Sequence, residues 1–320
     1  MVKFGRMAKL MNKTVRHQDN VKRTKNKWDE AHNKTNFKMR FAMSHPVVKQ
    51  YIKNNYLGGK EGPFEILKQY LNIPVERALE LACGRGDFAI EMVTTGYAKH
   101  IDALDVSDVA VEDARRKAAI EGLENVNFEV ADVNSVELPP DTYDLVYFRQ
   151  SLHHIEALEH VFEQIAHTLR EGGIFFINDY VGPSRMQWTD KQLEIMNEIL
   201  AILPERYRVL LGGDLGYPGT HKVTVHRTPV ETYLKVDPSE GVRSAEIISL
   251  AKGYFDVLDE RSLGGTIHYE LLRGIVHNFD VNDEKDTVLL EMILLLERML
   301  LENNVVDADF KCFVAKKRKA

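Results

Sequence analysis

ALELACGRGDFAIEM, Ala78 to Met92, is an apolar run that breaks at two glycines, Gly84 and Gly86, and then resumes at helical spacing. A strand that turns through glycines directly into a helix leaves backbone N–H groups and the helix N-terminus facing a polar or anionic ligand. Gly84 to Ala89 satisfies G-x-G-x-x-A, and Asp105 lies about twenty residues on, as a dinucleotide site requires. The same loop fits a nucleoside cofactor that has no pyrophosphate equally well.

Two carboxylates tip the balance toward the second ligand. Glu80, inside the strand, suits a cationic ammonium or sulfonium and would repel a diphosphate. Asp132, at the end of the third predicted strand, offers a polar group to a base edge. With Asp105, three carboxylates rim one predicted pocket.

Outward from this loop, apolar strands alternate with amphipathic helices, the pattern of a mainly parallel α/β sheet. Strands are expected at 77–82, 100–106, 125–132, 143–149 and 174–180. In ALEHVFEQIAHTLREGG, Leu158, Phe162, Ile165 and Leu169 share one helical face, and Gly172 stands where a C-terminal cap belongs. Past Tyr180 the alternation stops: Thr189 and Gln192 have capping-box spacing before a helix that Pro204 ends, so residues 181–250 read as an insertion. Strand character returns at YFDVLDERSLGG, and the closing DFKCFVAKKRK reads as an antiparallel edge strand.

A chain of 320 residues, 44% of them hydrophobic, can bury a substantial core. Its two cysteines, Cys83 and Cys312, are far apart and belong to no Cys/His cluster, which excludes a disulfide framework and a zinc-finger pattern and fits a reducing, cytoplasmic setting. The formal charge of −6 is asymmetric: residues 1–40 hold 12 Lys/Arg against 3 Asp/Glu (+9), leaving 30 against 45 (−15) for the rest. Such a basic arm reads as a solvated tail, with nucleic-acid contact as the alternative. Residues 1–20 lack the apolar core of a secretory peptide, and VLLEMILLLERMLL, interrupted by Glu291 and Glu297, falls short of a bilayer span. The helix at 284–301 is apolar on more than one face, which predicts deep burial or a homo-oligomer interface.

ELACGRGDF, ALDVSDVAVEDAR, VADV, YDLVYFRQSLHHI and LREGGIFFI, in this order, resemble the successive sheet-edge motifs of class I S-adenosylmethionine-dependent methyltransferases. The resemblance spans roughly residues 77–180. It implies a Rossmann-like doubly wound sheet, mostly parallel with an antiparallel terminal strand, and S-adenosylmethionine as cofactor. It further implies that Glu80, Ala82, Gly84 and Gly86 hold the methionine end, that Asp105 takes the ribose hydroxyls and Val106 packs on the adenine, that Asp132 and Val133 contact the adenine edge, and that Arg149 and Gln150 lie beneath the sulfonium.

For the acceptor, a base must sit near the transferred methyl if a hydroxyl is to lose its proton. His153 is the better candidate and His154 the structural hydrogen-bonder; Asp179, ending the fifth strand, is a second candidate base. Tyr180, Arg185 and Trp188 in YVGPSRMQW, His226 in the insertion, and His268 after GGT are candidate substrate contacts. The phrase YVGPSRMQW also resembles one in bacterial methyltransferases of sugar and polysaccharide pathways. No Asn/Asp-Pro-Pro-aromatic turn follows the fourth strand and no cysteine is placed as a nucleophile, which disfavours base methylation.

The expected organisation is a basic arm and helical cap (1–62), a cofactor-binding core (63–180), a lid over the acceptor (181–250) and a C-terminal part completing the sheet (251–320), with no metal. The expected activity is methyl transfer to a hydroxyl, less readily an amine, of a small molecule or glycan. The alternatives are a nucleic-acid-binding or RNA-methylating protein that uses the arm, and an NAD-dependent oxidoreductase.

Overall fold

The computed structural model describes residues 41–212, 217 and 219–318, with 22, 23 and 25. Seven strands, β1 (Val75–Leu81), β2 (Ala98–Asp105), β3 (Val126–Val130), β4 (Tyr143–Arg149), β5 (Leu169–Tyr180), β6 (Phe255–Gly264) and β7 (Phe310–Lys317), form one sheet in the order β3-β2-β1-β4-β5-β7-β6. The first five are parallel, and β7 runs antiparallel to both neighbours. The antiparallel terminal strand is therefore present, but it is not at the edge as expected: β7 slots between β5 and β6. Phe313 and Val314, buried on opposite faces of the sheet, show why the centre of its sequence, Cys312 to Ala315, is apolar.

The principal helices are α1 (Pro46–Asn55), α2 (Asp87–Thr94), α3 (Asp108–Ile120), α4 (Leu158–Thr168), α5 (Asp190–Ile202), α6 (Val230–Val236), α7 (Ile247–Tyr254) and α8 (Glu284–Glu302). Alternate residues of each strand feed two apolar layers. Leu145 and Tyr147 join Phe64, Phe88 and Phe176 on one face, while Val146 and Phe148 join Phe162 and Phe175 on the other. α5 starts with the reciprocal Thr189–Gln192 capping box and ends just before Pro204, as its sequence predicts.

Gly172 does not cap α4. Leu169 caps it, and β5 begins there; residues 170–173 form an irregularity in which Tyr143 pairs with Leu169 while Leu145 pairs with Ile174. The positive φ of Gly172, 77°, serves that bulge.

α8 buries Leu290, Ile293 and Leu294 and leaves Met292, Leu295, Leu296 and Met299 exposed, so deep burial accounts for only one of its faces. Among the described residues no helix is long and apolar enough to cross a membrane. Most of the basic arm lies outside the described residues; of those described, Lys25 pairs with Asp108 at 2.6 Å and Arg23 donates to the Leu234 carbonyl.

Strand order reverses between β1 and β4, and a crevice opens beyond the C-terminal ends of strands at such a point. Two non-glycine residues with positive φ stand at these ends, Ala82 (55°) after β1 and Gln150 (54°) after β4. L-residues pay for this conformation in strain, which persists where surrounding structure holds it, commonly beside a binding site.

Candidate active site

A cleft of about 290 Å³ occupies this crevice. Nine of the ten residues expected around a cofactor line it: Glu80, Ala82, Gly84, Asp105, Val106, Asp132, Val133, Arg149 and Gln150. Gly86 is absent from the lining. It precedes α2 at φ 69°, and a Cβ there would come within 2.4 Å of Phe128 and 2.8 Å of Ala114. Its glycine is thus required by close packing of the loop on β3 and α3. Gly86→Ala should cost about 2–4 kcal/mol from overpacking plus left-handed strain, read as a lower urea midpoint; an unchanged midpoint would contradict this packing account.

The acidic residues of the cleft are organised by backbone. Asp105 accepts from Gly84 N at 2.7 Å and Ser107 N at 2.9 Å, tying the glycine loop to the end of β2. Asp132 accepts from the backbone and side-chain N–H groups of Asn134, whose side-chain Oδ1 accepts from Glu156 N and Ala157 N ahead of α4. Glu80 is buried beneath the loop, where burial pushes its carboxyl up to about 8 against the opposing charge of Arg149 and a hydrogen bond from the Tyr147 hydroxyl at 3.2 Å. The Arg149 guanidinium lies over the Phe88 ring, 4.4 Å from its centre.

The histidine pair divides between the core and the cleft. His153 is buried and does not line the cleft. Its Nδ1 donates to Asp179 at 2.5 Å and its Nε2 lies 3.5 Å from Glu240. Burial opposes its charge, but Asp179 and then Glu240 outweigh it and hold the imidazole up to about 10, so it is a cation at neutral pH and no proton acceptor. Asp179 is fully buried and also accepts from the backbone N–H groups of Ser151, Leu152 and Tyr180; it anchors the segment after β4 and is walled off from an acceptor. His154 does line the cleft. Its Nδ1 lies 2.9 Å from Ser239 Oγ, and that hydroxyl donates to Asp237 at 2.6 Å. With its proton committed to Asp237, the serine oxygen is left to accept from Nδ1–H.

None of the five candidate substrate residues lines this cleft. Tyr180 is buried, donates to the Pro183 carbonyl and packs edge-on against Trp188 and Phe310. Trp188 is buried beside it in the core. Arg185, at φ 59°, donates to the carbonyls of Pro238 and Glu240 and so positions the loop that carries Ser239. His226 is exposed on the insertion. His268 is buried against Glu297, with its Nδ1 2.9 Å from the carboxylate, because a buried imidazole and carboxylate satisfy each other away from water.

The insertion reaches the cleft through Pro238, Ser239 and Val242 instead. Two backbone bonds dock this loop, Val242 N to the His153 carbonyl at 3.1 Å and Arg185 N to the Gly241 carbonyl at 2.7 Å, and Arg243 ties it to Glu159 on α4. The turn-rich DPSEG stretch signals a loop, but no local pattern announces that it crosses some 80 residues of chain to meet His154.

Residues 74–217 match the family described as a methyltransferase domain. The 27-O-demethylrifamycin SV methyltransferase of Amycolatopsis mediterranei is 33% identical over 107 residues, which are 33% of this chain and 39% of that protein. A phosphoethanolamine N-methyltransferase of Triticum aestivum is 31% identical over 130 residues, 37% of this chain and 24% of that one. A sterol 24-C-methyltransferase of Aspergillus fumigatus is 28% identical over 144 residues, 44% of this chain and 36% of that one. This chain thus spans well under half the length of each of these curated relatives. The lining fits an adenosyl cofactor carrying an ammonium, because five acidic residues, Glu80, Asp87, Asp105, Asp132 and Glu156, line it and Arg149 is the only Lys or Arg among the lining residues. Residues 74–217 thus carry a segment similar to methyltransferase domains, and the lining of the cleft suits S-adenosylmethionine as its cofactor.

Proposed function

We propose that the chain transfers a methyl group from S-adenosylmethionine to a hydroxyl of a small molecule or glycan, with His154 as the proton acceptor. The observation that carries this reading is the run from Asp237 through Ser239 to His154, which orients an imidazole at the wall of the cleft. A hydroxyl is a weak methyl acceptor until its proton leaves, so an oriented base is what O-methylation adds to positioning. The rifamycin relative, an O-methyltransferase by its name, fits the same reading.

In this mechanism Glu80 would pair with the ammonium of the cofactor, Asp105 with the ribose diol, and Asp132 and Val133 with the adenine edge. When bound, the cofactor supplies an electrophilic methyl on a sulfonium. The chain would hold the acceptor oxygen, exclude water with the 238–242 loop, and take the hydroxyl proton at His154. Asp237 stabilises the resulting imidazolium through Ser239. The test is release of S-adenosylhomocysteine with a panel of hydroxylated acceptors and their amine counterparts; turnover of amines alone would sink O-methylation.

Glu80 makes a prediction of its own. Its carboxyl titrates near 8 when the cleft is empty of cation, so at pH 7 most molecules carry the proton. Pairing with an ammonium favours the carboxylate and expels that proton, so affinity should rise with pH up to about 8, by up to about tenfold per unit. Calorimetric titration in two buffers of different ionisation heat should show proton release at pH 7, and none in Glu80→Gln. Equal heats in both buffers with the wild-type chain would remove Glu80 from cofactor binding.

A further inference from the structure

His153, His154 and Glu240 place one ring nitrogen each and one carboxylate oxygen within 4.8 Å of one another. We infer that this cluster is a binding site for a transition-metal ion of the zinc type, and that its occupancy takes His154 away from proton transfer. The separation of His153 Nε2 and Glu240 Oε1 is 3.5 Å. Two ligands at zinc bond lengths of about 2.0–2.1 Å and a tetrahedral angle stand about 3.3 Å apart, so the pair needs almost no movement to share an ion.

The surroundings of the cluster are those of a metal ligand set. His153 Nδ1 is held by the fully buried carboxylate of Asp179, the arrangement that fixes the ring of a metal-bound histidine and raises its basicity. Glu240 is held by its backbone, whose carbonyl accepts from Arg185. Two imidazoles and one carboxylate favour zinc and its neighbours over magnesium or calcium, which take oxygen ligands. Three protein ligands leave a fourth position, and His154 sets that position at the wall of the cleft. Binding needs the ligating ring nitrogens unprotonated, so any proton they carry leaves to solvent and no oxidant or reductant is required.

The regulatory half of this inference rests on His154 being the proton acceptor; the metal site itself does not. A ring nitrogen that donates its lone pair to a metal cannot also take a proton. Methyl transfer should therefore fall as the site fills.

The experiment is a titration of the full chain, first stripped with chelator, with zinc chloride and separately with magnesium chloride, followed by calorimetry and by competition with a chromophoric chelator. Wild type should bind one equivalent of zinc, Glu240→Gln should bind at least tenfold more weakly while keeping its circular dichroism and its S-adenosylmethionine binding, and methyl transfer by wild type should decline in step with zinc occupancy. Absence of saturable zinc binding, equal zinc affinity in Glu240→Gln, or magnesium binding as tightly as zinc would overturn the site. Stimulation by zinc would overturn its assignment as an off-switch. Zinc binding that depends on Glu240 in a chain that methylates no hydroxyl would uphold the site and reject the O-methylation reading, so the two failures are distinct.

Discussion

His154→Ala should lower the turnover number for an aliphatic hydroxyl acceptor by about 10²–10⁴-fold, the usual worth of a positioned general base, which is about 3–5 kcal/mol of barrier. Its affinity for S-adenosylmethionine should stay within a few-fold of wild type, because the adenosine end of the cleft is built by Asp105 and Asp132, anchored by other backbone groups. A structural role for His154 would instead weaken cofactor binding and turnover together. The acceptor supplies a second readout. A phenolic hydroxyl is more acidic than an aliphatic one and leans less on the base, so the loss should be smaller with the phenol. Equal losses with both acceptors would place the proton elsewhere. Ser239→Ala, which breaks the link to Asp237, should act in the same direction with a smaller effect, since it loosens the imidazole without removing it.

Asp179→Ala is expected to carry the largest stability loss. Its carboxylate is fully buried, pairs with cationic His153 and accepts from three backbone N–H groups. Removing one partner of a buried pair leaves an uncompensated charge, typically about 3–5 kcal/mol, and the orphaned N–H groups add to it. The loss has a pH signature that a simple cavity lacks. His153 titrates up to about 10 in the folded chain, against an ordinary value of 6.5. Because the folded pKa is the higher one, this stabilisation is complete below about pH 6.5 and is lost as pH rises toward 10. Wild-type stability should therefore fall across that window. In Asp179→Ala the fall should be much shallower, since the main group holding the proton is gone. Urea midpoints measured from pH 6 to 10 decide it: parallel profiles would mean that His153 is not held as a cation by Asp179.

Much of the core was readable because its signals are local. A parallel sheet buried on both faces needs continuous apolar runs, and those runs located β1 to β5 to within a few residues, apart from the early start of β5. That start was hidden by EGG, which has the composition of a helix cap but forms a bulge, since strand pairing with β4 overrode the local preference. The position of β7 was equally illegible. An antiparallel strand reads the same at an edge as between two partners, and only pairing with β6 decides which.

The acceptor side divides along the same line. His153 and His154 are adjacent and chemically identical in sequence, and the backbone turn after β4 sends one toward Asp179 and the other to the cleft. Tyr180 and Trp188 looked suited to a ligand, yet each has a large apolar body, and burying it in the core outweighs exposing it at a wall. Ser239 and Glu240 carried only the signal of a loop, because their place beside the histidine pair comes from a docking of the insertion that Arg185 and Arg243 secure across long stretches of chain.

The sequence by itself determined the doubly wound sheet, the glycine loop and the carboxylates at successive strand ends, because these follow from periodicity and from turns whose partners lie within about twenty residues, as in such nucleotide folds. Only the tertiary structure decided which imidazole lies at the cleft, which groups Asp179 pairs with, and which part of the insertion lines the cleft. Those are properties of burial and of charge brought near by long-range packing, and a side chain's protonation answers to its surroundings in space, not to its neighbours in the chain.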